Sequence, residues 1–271
     1  MTVSEAATAM SEAISTVSES ASAVSQVTST IATVPDITFR SDMTVELVKH
    51  AASDADVLWA ARVSTKGEQS LEDVTADPER SAGLINFLMR DRHGTPFEHS
   101  SMTFYVSAPI FVFREFMRHR TFSYNEESGR YRKLEPVFYV PGPDRKLVQS
   151  GKPGAYVFTD GTQEQHALVT KTIEASCRQA YEAYLEMLEA GVAREVARSV
   201  LPVGLYSSMY ATCNARALMN FLSLRVKDPD ATFPSFPQRE IEMVAEQMES
   251  RWAELMPLTQ AAFERNGRVC P

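Results

Sequence analysis

From Ser101 to Ser107 apolar and polar residues alternate, Met102, Phe104 and Val106 against Thr103, Tyr105 and Ser107, which is the period of a strand with one wet face. Pro109 then permits a helix start, and Ile110 to Phe113 with Phe116 and Met117 is apolar enough for a largely buried helix. A half-buried strand that runs straight into a buried helix commits the chain to both kinds of element. The end of that helix delivers Arg118-His119-Arg120, and a rigid, buried helix holds a binding cluster better than a free loop does.

The fourteen residues from Arg118 to Tyr131, RHRTFSYNEESGRY, crowd cations, carboxylates and small donors together. Arginine offers a planar, permanently charged fork that matches phosphate or carboxylate oxygens, so Arg118, Arg120 and Arg130 suit a multiply charged anion. Ser128-Gly129 lets backbone N–H groups approach such an anion closely. The same density of Arg and Glu also suits a solvated face of weak ion pairs.

Charge sharpens the choice. With 35 acidic and 27 basic residues the net charge is −8, which disfavours nonspecific nucleic-acid binding, where Lys and Arg supply most of the affinity. Cys177, Cys213 and Cys270 are odd in number and lack metal-like spacing, so neither a disulfide framework nor a metal site is expected. No apolar run is long enough to span a membrane and no secretion signal opens the chain, so a reducing cytoplasm is the expected compartment.

Residues 1–36 form a Ser/Ala/Thr-rich segment in which Met10, Val17, Val24 and Ile31 recur every seven residues. It is expected to be disordered or to form a helix only on association, with residues 37–271 as the catalytic domain. Met43 to His50 reads as a strand. Ser53 with Asp56 caps a helix through Val57, Leu58 and Ala61, with Arg62-Val63-Ser64 following it. Asp77-Pro78-Glu79 opens another, with Leu84, Ile85, Leu88 and Met89 inward, running out at Arg92-His93-Gly94, where a histidine also serves as a plain helix-end cation.

Val137 to Val140 is extended and residues 144–161 read as loop. A long helix from about Gln163 puts Leu168, Ile173, Cys177, Tyr181, Tyr184 and Leu188 on its apolar side and ends at Gly191. Glu195 and Arg198 sit on a short helix broken at Pro202, and residues 203–212 are strand-like. Asn214 caps a helix whose Arg216, Asn220, Ser223 and Lys227 share a face, with Arg225 beside Leu218 and Phe221. A final amphipathic helix carries Ile241, Val244, Ala245, Met248, Trp252 and Leu255.

Arg118-His119-Arg120 with Ser128 and Arg130-Tyr131 resembles the signature of the flavin-dependent thymidylate synthases. His93-Gly94-Thr95-Pro96-Phe97-Glu98-His99 upstream, and Glu195-Val196-Ala197-Arg198 and the stretch Asn214 to Arg225 downstream, resemble that family's other motifs in order. The resemblance spans residues 40 to 265. It implies an α+β fold, a mixed, largely antiparallel sheet flanked by helices, and no Gly-x-Gly-x-x-Gly follows a strand as a Rossmann fold would require. It also implies reductive methylation of dUMP to dTMP, with methylenetetrahydrofolate as carbon donor, NADPH as reductant, FAD as redox cofactor and no catalytic cysteine. Homotetramers with shared sites are the family's assembly.

Carried over residue by residue, the resemblance assigns FAD to Arg118, His119, Arg120, Glu126, Asn214, Arg216 and Asn220, with Ser64, His93 and Thr95 nearby. It assigns dUMP to Glu115, Ser128, Gly129, Arg130, Arg198 and Arg225. Arg225 is the activating cation and the Ser128 hydroxyl orients. Glu115 stands where some relatives carry a glutamine, and an ionised carboxylate only accepts hydrogen bonds. The proline-rich residues 228–238 depart from the family, so no contact is carried over there. Two rival readings of the cluster are a non-catalytic nucleotide-binding protein, and a flavoprotein that oxidises NADPH without methylating.

Overall fold

A computed structural model describes residues 36–75, 77–153 and 155–271; the expectation for the first thirty-five residues lies outside them. The strands are β1 (Thr38–Arg40), β2 (Thr44–Ala51), β3 (Ser101–Pro109), β4 (Ser123–Glu126), β5 (Val137–Tyr139), β6 (Val148–Lys152), β7 (Ala155–Thr159) and β8 (Tyr206–Cys213). The helices are α1 (Asp54–Lys66), α2 (Leu71–Thr75), α3 (Pro78–Arg90), α4 (Ile110–Phe116), α5 (Gln163–Glu189), α6 (Arg194–Ala197), α7 (Ala215–Arg225), α8 (Arg239–Leu255) and α9 (Pro257–Arg265). This is the expected α+β architecture. Its principal sheet is antiparallel throughout, in the order β2-β3-β8-β4, while the parallel pairing that makes the fold mixed is confined to a separate ladder, β1 with β5.

The alternation in β3 does what its period dictates. Met102, Phe104 and Val106 are fully buried beneath the helices, and Thr103 and Tyr105 face the other way, meeting Thr212 (2.9 Å between hydroxyls) and Tyr210 (5.9 Å between rings) on β8. A bulge between Leu47 and Lys49 in β2 leaves Val48 outside.

Caps set most helix starts as the residues suggest. Ser53 and Asp56 form a capping box at α1, the Asp77 side chain accepts from Arg80 N with Pro78 in the first turn of α3, and Asn214 Oδ1 accepts from Ala217 N at 2.8 Å in α7. The first amides of α4 have another solution: Ile110 N and Phe111 N donate to the carbonyls of Leu205 and Val203, both at 3.0 Å.

Several expectations are corrected. Residues 144–161, read as loop, hold the β6–β7 hairpin, with Gly151 at φ 94° inside β6 opposite Tyr156. The short α2 is too brief for periodicity to show, and α9 follows α8 as a further helix, with Pro257 in its first turn. Arg62 to Ser64 belong to α1 rather than following it. Met117 and Leu168 are exposed, because α4 stops at Phe116 and only the C-terminal part of α5 meets the core. Lys227 lies beyond the end of α7, so it cannot share that helix's face.

Two apolar clusters result. The larger joins the principal sheet to α1, α3, α4, α7, α8 and α9; the smaller packs α5 against β5 through Cys177, Tyr181, Tyr184 and Phe138. Among the described residues no helix is long and apolar enough to cross a membrane.

Candidate functional site

Two strands of the principal sheet pass almost directly into helices, β3 into α4 and β8 through Asn214 into α7. The helices meet where Phe116 stacks on Phe221 at 4.6 Å. Arg118, His119, Arg120, Thr121, Asn220, Leu224 and Arg225 line a cavity of about 480 Å³ at that meeting, a size within the range of ligand pockets. Asn220 and Leu224 are four apart on α7, which puts both at the rim.

Arg225 is the best-held cation here. Its Nη1 donates to Glu115 Oε2 at 2.6 Å and its Nε to His119 Nε2 at 3.1 Å, with only 18% of the side chain exposed. Burial pushes the Glu115 carboxyl above its usual range, with Arg225 pulling the other way and Glu240 adding to the rise. Burial also drives the His119 imidazole down to about 4, and the neighbouring Arg225 charge acts in the same direction. Arg118 and Arg120 are exposed, and among the described residues no carboxylate pairs with either. Unpaired guanidiniums around a half-closed cavity fit an anionic group such as a dinucleotide's phosphates.

A second group forms around the turn after β4. Ser128 carbonyl accepts from Tyr131 N, and its hydroxyl accepts from Arg130 N at 3.3 Å. Arg130 Nε pairs with Glu195 Oε2 at 3.0 Å, an exposed bond. Gly129 is there for room: a Cβ would meet Leu134 Cδ1 at 2.7 Å and Arg198 Cδ at 3.3 Å. Glycine at this position therefore admits Arg198 to the turn, in addition to the backbone approach its type suggests. Glu126 ends β4 and is exposed.

A third group gathers at the end of α3. His93 lies edge-on to Phe87 at 5.5 Å, and Thr95 is exposed on the short 3-10 turn Thr95–Glu98. Arg216 pairs with Glu98 and donates through Nε to the Pro271 carbonyl at 2.8 Å. A Cβ on Gly94 would fall 2.6 Å from that guanidinium. Ser64, in the last turn of α1, donates to Ala61 O and is exposed.

The structure thus brings Arg118, His119, Arg120, Asn220 and Arg225 to one cavity, with Glu115 bonded to Arg225. It sets Ser128, Gly129, Arg130 and Arg198 in a second place and His93, Thr95 and Arg216 in a third, with Asn214 serving as the cap of α7. Thr121 and Leu224 were not singled out by sequence, and Glu98 and Glu195, though part of the quoted motifs, were given no role. The spacing of Leu224 from Asn220 could have found it; the two carboxylates pair across long stretches of chain that no local pattern reports. Cys213 is buried, and burial pushes its thiol up, which removes it as a nucleophile.

A family model described as "Thymidylate synthase complementing protein" matches residues 46–258. The chain is 74% identical over 235 residues to the flavin-dependent thymidylate synthase of Streptomyces avermitilis, covering 86% of this chain and 96% of that protein. Against the flavin-dependent thymidylate synthase of Tropheryma whipplei it is 58% identical over 239 residues, 88% of this chain and 99% of that one. Among solved structures, the UMP/dUMP methylase PolB from Streptomyces cacaoi bound with 5-Br dUMP superposes with a TM-score of 0.82 at 57% identity, over 87% of this chain and all of that one. An arginine-lined cavity between α4 and α7, carried on an antiparallel sheet and matched by sequence across nearly the whole described chain, makes this protein a member of the flavin-dependent thymidylate synthase family.

Proposed function

We propose that this chain methylates dUMP to dTMP, taking the one-carbon unit from methylenetetrahydrofolate and using FAD reduced by NADPH. The observation that carries the reading is Arg225, a permanent cation held at two points beside the arginine-lined cavity. Reduced flavin, when bound, supplies the hydride that completes the methyl group.

The chain's own residues bind, orient and polarise. Arg118 and Arg120 offer unpaired charge to the cofactor's phosphates, and Asn220 offers an amide at the same rim. Asn214, Arg216, Glu126, His93, Thr95 and Ser64 complete the flavin set assigned by the family motifs. Ser128, Gly129, Arg130 and Arg198 take the nucleotide, with arginine forks on phosphate and the Ser128 hydroxyl as an orienting group. Among the described contacts Ser128 has no basic side-chain partner to activate it as a nucleophile. Arg225 stabilises the negative charge that develops on the uracil ring and so raises the nucleophilicity of C5. Three groups of residues standing apart on one chain favour a homotetramer in which each site draws on more than one subunit.

The test is an absorption spectrum of the purified protein incubated with FAD, then a dTMP assay with dUMP, methylenetetrahydrofolate and NADPH, with UMP as comparison. The expected protein is yellow and makes dTMP, and Arg225→Ala stays yellow but loses product by about 100-fold or more. Protein that takes up no flavin, or an Arg225→Ala variant with full turnover, overturns the proposal.

A further inference from the structure

We infer that His119 and Glu115 form a clamp that aims Arg225, with His119 serving as a hydrogen-bond acceptor for this cation. The inference rests on the reading of Arg225 as the group that polarises the uracil. A guanidinium has only donors, so the 3.1 Å contact between Arg225 Nε and His119 Nε2 makes Nε2 the acceptor. That fixes the proton on Nδ1 and excludes the imidazolium for as long as the bond lasts.

The surroundings enforce the same state. His119 is 7% exposed; Phe221 meets its ring edge-on at 4.8 Å and Phe122 at 6.5 Å. Its backbone is pinned as well. His119 N donates to Phe116 O at 2.9 Å, and the Tyr124 hydroxyl lies 2.7 Å from Phe116 O and 2.9 Å from His119 O. The charged and titratable groups facing this position are Arg225 from α7, Tyr124 from β4 on the backbone side, Glu115 one turn earlier on α4, and the flanking Arg118 and Arg120 at the cavity. No described carboxylate contacts the imidazole, so nothing there rewards protonation, and its depressed value of about 4 agrees.

Glu115 holds the other side. Its carboxylate takes Nη1 at 2.6 Å, and its main-chain carbonyl lies 3.5 Å from Nη2. The guanidinium plane is therefore set from two directions, with N–H groups on Nη1 and Nη2 still free to serve a ligand. Ordering of this kind, in place before substrate arrives, spares the reaction the cost of arranging the cation.

The experiment compares His119→Leu, which keeps bulk without an acceptor, with His119→Gln, whose Oε1 reaches the place of Nε2, both as flavin-loaded protein. The readouts are bound flavin by absorbance, dUMP binding by calorimetry, kcat and KM for dUMP, and 15N NMR of the wild-type imidazole between pH 8 and 5.5. Expected are flavin content within about twofold in both variants, a loss of about 100-fold in kcat/KM for Leu, recovery to within about tenfold for Gln, and an unprotonated Nε2 across the pH range. The clamp is overturned if His119→Leu turns over like wild type, if flavin is lost in step with activity, or if the imidazole titrates between pH 6 and 8. The NMR result stands even if a variant does not fold. Wild-type protein that neither binds dUMP nor makes dTMP sinks the function proposed above, and the imidazole spectrum then decides the clamp alone.

Discussion

At the scale of single residues, a histidine kept neutral in the folded state has a cost in acid. Its folded value of about 4 lies below the ordinary 6.5, so the unfolded chain takes up a proton first as pH falls, and stability drains away through the window from about 6.5 to 4. Between pH 7.5 and 5 the loss from His119 amounts to about 2 kcal/mol. Urea unfolding at the two pH values checks it: His119→Gln is expected to flatten the dependence by that amount. Arginine clusters are legible as residues because their charge is unconditional. Their partners are not, since Glu98 lies 118 positions from Arg216 and Glu195 lies 65 from Arg130. Nor could residue type alone reveal that His119 is turned onto an arginine instead of standing free in the cavity.

At the scale of elements, caps written locally read well, and caps made by distant residues do not. Asp54 illustrates the second kind. It stands at the start of α1, yet its carboxylate accepts from Leu258 N, Thr259 N and Thr259 Oγ1, between 2.6 and 2.9 Å, and so caps α9. Asp54→Ala is expected to cost about 2 kcal/mol by thermal or urea unfolding, the upper end for a lost cap, with little change in turnover. The stacked Phe116 and Phe221 rings are the other joint. Phe221→Ala opens a cavity under α4 and is expected to cost about 3–5 kcal/mol, while also loosening the seat of His119. The hairpin β6–β7 escaped notice because its strands are largely exposed, which leaves no apolar alternation on which a sequence reading depends.

For the molecule as a whole, one buried carboxylate ties α8 to β5 and to Arg145 beyond it. Glu240 of α8 is 2% exposed and accepts from the Tyr139 hydroxyl at 2.6 Å, Arg145 Nε at 2.7 Å and Gln238 Nε2 at 2.8 Å. Burial raises its titration point, and the bonds from Arg145, Tyr139 and Gln238 outweigh that and bring it below the usual range. Arg145→Ala leaves that charge without its counterion, and unfolding measurements are expected to show a loss of about 3–5 kcal/mol. The order of the strands could not be read in advance, since β3 finds its partner in β8 a hundred residues on. The join at Pro109 and Ile110, where strand ends and helix begins with nothing between, carries an evolutionary consequence. One codon inserted there would swing every later position of the helix by about 100°, so this short junction should drift by substitution and almost never by change of length.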